Sequence, residues 1–200
     1  PVMNEIVFPA AILQPPFFNA DADDAINYGG IGGVIGHEFS HGFDDQGSQF
    51  DGQGNLNNWW SDEDRKLFEE RTGKLVAQFN SFQVVDDVYV NGELTLGENI
   101  ADLAGITLSY YAFLKSVEGN EPEPIDGFDH KQRFFLGWAQ VWASNIKDEE
   151  AVRLANVDPH SPTKYRVLGP LSNLSEFHAA FGCKDGNNMV ADEEKKVKIW

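Results

Sequence analysis

A chain of 200 residues is long enough for one domain with a hydrophobic core and short for two. Hydrophobic residues make up 42% and charged residues 24%, the balance of a globular protein rather than a disordered one. The formal net charge of −17 excludes a surface built to neutralise phosphates, and with it a nucleic-acid partner, and argues against docking on anionic lipid.

No apolar run reaches the roughly 20 residues of a membrane span, so no span is expected. Cys183 is the single cysteine, which leaves neither an internal disulfide nor a thiolate metal cluster. The opening Pro1-Val2-Met3-Asn4-Glu5 resembles neither a signal peptide nor a transit peptide.

In chain order, Glu5 to Pro9 reads as a short edge strand and Gln14 to Phe18 as an extended apolar segment. A helix is predicted from about Tyr28 to Phe43. Its glycines at 29, 30, 32, 33 and 36 each cost up to about 1 kcal/mol against alanine, so it is expected to lie buried, tight against other backbone. Asp51 to Gly54 is a turn. Ser61 caps a helix reaching about Asn80, with acidic residues in its first turn. Val84 to Val90 reads as a strand closed by Asn91-Gly92. Thr95 and Glu98 have the spacing of a capping box before a long helix whose apolar positions Ile100, Leu103, Ala104, Leu108 and Tyr111 recur at helical period. Glu118 to Pro124 is an acidic, proline-rich loop. Helices follow over Asp129 to Ser144, Asp148 to Ala155 and Ser172 to Phe181. There are no internal repeats and no domain boundary. The fold class is mainly α with a small β-sheet.

The chemistry gathers at His37-Glu38-Phe39-Ser40-His41. Residues four apart share a helix face, so both imidazoles reach one cation, while Glu38 stands beside it to take a proton from water. A catalytic zinc takes three protein ligands and keeps one position open. A third histidine in the metzincin register is absent, because Asp44 and Gly47 occupy the places that pattern would fill. The alternative is a carboxylate from another helix. Glu98, 57 residues after His41, opens the long helix, and Asp102 lies one turn further on the same face. Glu98 completes a His2Glu set, and Asp102 is placed to accept the free ring N–H of a ligating histidine. Asp158-Pro159-His160 adds a histidine held by a carboxylate, suited to donate a hydrogen bond to a developing oxyanion.

These motifs, together with Asn4 to Ala10, Gln14 to Phe18, Asn27 to Gly32, Ala139 to Trp142 and His160 to Arg166, resemble the C-terminal catalytic region of the neprilysin and endothelin-converting-enzyme family of zinc endopeptidases. The resemblance runs over nearly the whole chain. It implies a thermolysin-like, gluzincin catalytic domain holding one zinc ion through His37, His41 and Glu98, with Glu38 as general base. It also implies that Asp102 and Asp44 support the metal-binding histidines. By the same resemblance, His160 donates to the transition state and is oriented by Asp158, and Arg166 contacts a substrate carbonyl. The resemblance further implies that Phe17, Val34 and Trp142 form the apolar pocket for the side chain after the scissile bond, so that oligopeptides are cut before hydrophobic residues.

Residues 1–200 then form one catalytic domain, the C-terminal part of a longer enzyme whose helical N-terminal region is absent here. The end of the chain, Lys195 to Trp200, resembles the family's C-terminus, with Val197 where animal members carry cysteine. Cys183 matches a cysteine that pairs with the N-terminal region in those members. That pattern suggests a bacterial member and an extracytoplasmic location over a cytoplasmic one. Two readings stand beside the endopeptidase: a zinc-binding module or inactive fragment that hydrolyses nothing, and an aminopeptidase with the same ligands, for which no amine-gripping group is evident.

Overall fold

The computed structural model describes residues 3–199; Pro1, Val2 and Trp200 lie outside them. Helix dominates. A first helical run is built from α1 (Asp24–Asn27), a π-turn (Tyr28–Gly32), α2 (Gly33–Ser40) and a 3-10 turn (His41–Phe43). It starts four residues before the expected Tyr28, at the acidic Asp23-Asp24 pair. There follow α3 (Asp62–Asn80), a hairpin of β1 (Gln83–Val85) and β2 (Val88–Tyr89), and α4 (Leu96–Ser116). The remainder is α5 (His130–Val141), α6 (Asp148–Val157), α7 (Thr163–Leu171) and α8 (Ser175–Phe181). Among the described residues no helix is long and apolar enough to cross a membrane.

Local chemistry explains most boundaries. Ser61 Oγ accepts from the Asp64 N–H at 3.1 Å, the N-cap its position suggests. Asp129 and Gln132 close a full capping box on α5. That helix stops at Val141, three residues short of the expected end. Helix α8 starts at Ser175 rather than Ser172 and ends on Gly182 in the left-handed region at φ 64°.

Other expectations fail for physical reasons. Glu5 to Pro9 forms no strand, since no strand among the described residues pairs with it. Gln14 to Phe18 is not extended but folds into a turn, with Phe17 N–H on Gln14 O at 3.0 Å. The expected single strand over 84–90 doubles back at Asp86, whose φ of 45° is tolerated by aspartate, to give the β1–β2 hairpin. Thr95 makes no side-chain cap; its hydroxyl donates to Asn91 O, and Glu98 turns toward the histidines instead of back to the helix start.

Helix α7 is not among the elements expected from sequence, and it carries Pro170 inside it. Pro170 has no N–H for the carbonyl of Arg166, but Trp138 Nε1–H donates to that oxygen at 3.1 Å, so the lost helix bond is replaced.

Helices α3, α4, α5, α7 and α8 enclose the core. Phe79, Phe113, Phe134, Phe135 and Trp138 are almost completely buried, and Phe113 stacks on Phe134 while Tyr110 stacks on Phe135. The chain end joins them: Val197, 2% exposed, packs in the core and its N–H donates to Asn173 Oδ1 at 2.9 Å. Arg133, also buried, donates to Asp23 Oδ2 at 2.6 Å and ties α5 to the start of α1.

The crossing of α2 over α4 decides the rest. A Cβ on Gly36 would lie 2.5 Å from Gly105 O, and one on Gly105 would lie 2.4 Å from His37 N. Only glycine at both positions lets the two backbones touch. The glycine-rich helix is therefore buried against backbone, as its composition suggests, and the approach brings His37 beside the first two turns of α4.

Candidate metal centre

Helix α2 presents the two imidazoles on one face. His37 Nε2 and His41 Nε2 lie 3.0 Å apart, with Glu98 Oε2 3.1 Å from the first and Glu98 Oε1 3.6 Å from the second. One ligand atom from each residue falls within 4.8 Å of the others.

Both rings are fixed from behind. His37 Nδ1 donates to Asp102 Oδ1 at 2.8 Å, and His41 Nδ1 donates to Asp44 Oδ2 at 2.7 Å. A carboxylate can only accept, so each Nδ1 carries the hydrogen, and in the neutral ring the lone pair is left on Nε2, facing the site. Asp44 is itself held, its Oδ1 accepting from the N–H groups of Gln46 and Gly47. Asp102 takes two bonds from Arg166, Nε to Oδ2 at 2.8 Å and Nη2 to Oδ1 at 2.7 Å.

The donor set fits a cation. With both rings neutral, their Nε2 lone pairs face each other at 3.0 Å and a positive charge between them, metal ion or proton, relieves the repulsion. Glu98 Oε2 is buried and forms no hydrogen bond despite its short distances to His37 and His160. Two imidazole nitrogens and a carboxylate are ordinary zinc ligands, and outer carboxylates on both rings are ordinary support.

Burial, the largest influence, pushes the His37 pKa down, but the bond to Asp102 and the Glu98 carboxylate close by outweigh it and hold the ring at about 9. Burial likewise pushes Asp102 up, and the Arg166 guanidinium beside it overrides that to keep it below the usual carboxylate range. Glu98 follows the same pattern, raised by burial and lowered further by His37 and the neighbouring histidines.

The other expected site residues fall around this centre. Glu38 is exposed on α2, open to solvent. His160 stands on the loop before α7, its Nε2 3.3 Å from Glu98 Oε2, while Asp158 Oδ1 accepts from both its Nδ1 at 2.8 Å and its backbone N–H at 2.9 Å. Arg166 is buried, its guanidinium 3.9 Å above the Trp142 ring, a cation–π contact. Trp142 in turn meets Phe17 edge-on with ring centroids 6.2 Å apart. Val34 is buried on α2 one turn before His37. The bidentate Arg166–Asp102 pair is the feature that sequence reasoning missed. The two residues stand 64 apart, and an arginine at that distance carries no local signal of its partner.

A sequence model of peptidase family M13 matches residues 1–197. The chain is 46% identical over 203 residues to an endothelin-converting enzyme homolog from Locusta migratoria, covering all of this chain and 28% of that protein. It is 44% identical to human neprilysin over 202 residues, 98% of this chain and 27% of neprilysin. Among solved structures, a zinc metalloprotease of Mycobacterium tuberculosis in complex with an inhibitor superposes with a TM-score of 0.96 at 48% identity, over all of this chain and 31% of that one. PepO of Lactobacillus rhamnosis superposes with a TM-score of 0.85 at 36% identity, over 96% of this chain and 29% of that one. The chain thus spans between a quarter and a third of the length of each of these relatives.

Proposed function

This chain belongs to peptidase family M13, and from that premise we propose that it is the zinc-binding catalytic part of an endopeptidase that hydrolyses oligopeptides, cutting before hydrophobic residues. The reading rests on one observation: the Nε2 atoms of His37 and His41 and the unbonded Oε2 of Glu98 converge closely enough to hold one metal ion between them. His37, His41 and Glu98 would hold one zinc ion per chain. When bound there, zinc would supply Lewis acidity, which polarises a carbonyl oxygen and brings the pKa of water toward about 7.

The chain's own residues do the rest. Glu38 takes a proton from the water whose oxygen adds to the scissile carbonyl carbon. When the C–N bond breaks, Glu38 returns that proton to the departing amine. His160 donates from Nε2 to the oxyanion when its ring carries both protons, held in place by Asp158. Asp102 and Asp44 orient the metal-binding rings, and Arg166 fixes Asp102 while reaching toward a substrate carbonyl. Phe17, Val34 and Trp142 receive the side chain that follows the cut bond. Oligopeptides are accordingly the proposed substrates, and the proposed partner is the preceding region of a longer polypeptide, in line with the small share of each relative that the chain spans. An extracytoplasmic location is proposed with them; one relative, 45% identical, is named a membrane metallo-endopeptidase-like protein.

The test is cleavage of an N-blocked peptide with an internal phenylalanine or leucine by the zinc-loaded protein, with and without chelator. Cleavage on the amino side of the hydrophobic residue, abolished by chelator, is expected. Glu38→Gln is expected to keep stoichiometric zinc and lose about 10²–10⁴-fold in kcat. Turnover by that variant at the parent rate overturns the role of Glu38, and chelator-resistant cleavage overturns the metal mechanism.

A further inference from the structure

The loop that carries His160 is tied to the metal helix through a residue with no role in the scheme above. Ser161 Oγ donates to Asn99 Oδ1 at 2.7 Å, Asn99 Nδ2 donates to Thr95 Oγ1 at 2.8 Å, and Thr95 Oγ1 donates to the Asn91 carbonyl at 3.0 Å. Ser161, Asn99 and Thr95 are 3%, 1% and 2% exposed. A buried relay of this kind is costly unless every member is satisfied, and here each donor has an acceptor until the chain ends on backbone.

Its position gives it meaning. Asn99 follows Glu98 in the first turn of α4, and Ser161 follows His160. Asp158 accepts from both the ring and the backbone of His160, so it fixes the ring to its own loop. It does not fix the loop to α4. Ser161 does, and Arg166 on Asp102 makes a second fastening one helical turn further along α4. Pro159 and Pro162 stiffen the backbone on either side of the serine–histidine pair.

We propose that Asn99 and Ser161 are positioning residues that set the distance of His160 from the metal and so determine how well it meets the oxyanion. The inference rests on the role given to His160 in the proposed function. Misplacing a catalytic group by about 1 Å costs up to about 10²-fold in rate. In the zinc-loaded protein, Ser161→Ala is therefore expected to lower kcat by about ten- to a hundredfold with KM changed less than about threefold, and Ser161→Thr, which keeps the hydroxyl, to restore it.

A second readout does not need turnover. In the cobalt(II)-loaded protein, the His160 ring protons carry paramagnetic shifts that fall off steeply with their distance from the metal. The parent and Ser161→Thr are expected to show the same sharp, shifted His160 signals. Ser161→Ala should show them moved toward their diamagnetic place, with those of His37 and His41 unmoved. Ser161→Cys keeps the volume with a weaker donor and takes the same measurement if the alanine variant does not fold. Unchanged His160 signals in the alanine or cysteine variant overturn the proposal, as does displacement of all three histidines together. If the parent protein cleaves no peptide, the proposed function fails, and the cobalt measurement still decides the positioning.

Discussion

Replacing Gly105 by alanine tests the crossing on which the metal centre depends. The new Cβ would stand 2.4 Å from His37 N, 2.7 Å from His37 Cα and 2.9 Å from Gly33 O, where ordinary contact begins at 3.4 Å. All three neighbours are backbone, so no rotamer change relieves them, and α2 and α4 must separate by about 1 Å, the shortfall at the closest contact. Overpacking of this kind costs about 3 kcal/mol at its upper end, and the better helix propensity of alanine returns about 1. A net loss of about 2 kcal/mol lowers Tm by about 4–8 °C in a chain of this size. Metal sites tolerate ligand displacements of only about 0.2 Å, so zinc affinity should drop at least about tenfold.

Gly73 gives the matched control. It is exposed on α3, and nothing lies within 4 Å of where its Cβ would be. Gly73→Ala should raise Tm by about 1–4 °C, the return of roughly 0.5–1 kcal/mol of helix propensity. Calorimetric melting and competition for zinc with a chromophoric chelator measure both effects. The reasoning fails if Gly105→Ala keeps its Tm and zinc affinity, or if Gly73→Ala is destabilised to the same extent.

Three further substitutions probe the centre and its scaffold. Asp102→Asn keeps the shape but strips the charge facing Arg166 and His37; zinc affinity should fall about 10–100-fold in the same competition assay, and an unchanged value would mean that the His37 ring is held by packing alone. Glu98→Ala should lose stoichiometric zinc by elemental analysis, whereas retained tight zinc moves the third ligand elsewhere. Arg133→Met should lower Tm by about 6–20 °C, because it leaves Asp23 without its partner at a cost of about 3–5 kcal/mol; a shift under about 2 °C would show that solvent replaces the pair.

Short-range chemistry was legible in the sequence where a signal sits within a few residues. The His37–His41 spacing, the Ser61 cap and the cost of five nearby glycines each carry their own physics, and the structure has a shared helix face, a cap bond and a backbone-to-backbone crossing at those places. Signals that local pattern misjudges are those where a distant group intervenes. Thr95 and Glu98 have the spacing of a capping box, yet the histidines of α2 compete for the glutamate and Asn91 takes the threonine. Helix α7 holds Pro170, and nothing near that proline in sequence reveals that Trp138 donates to the carbonyl it leaves unpaired. The tie between Ser161 and Asn99 spans 62 residues and involves two residue types common in loops and caps, so only coordinates reveal it.

The wider turn at Tyr28–Gly32 acts as a phase setter for everything after it. Each residue of an α-helix advances the side chains by about 100°, so the five-residue loop of a π-turn offsets the faces before and after it by one such step. Ala25 can then point into one interior while the imidazoles twelve and sixteen residues later address another. Losing a single residue from this turn would leave the histidine spacing intact and swing both rings about a quarter of a revolution away from the carboxylates that hold them.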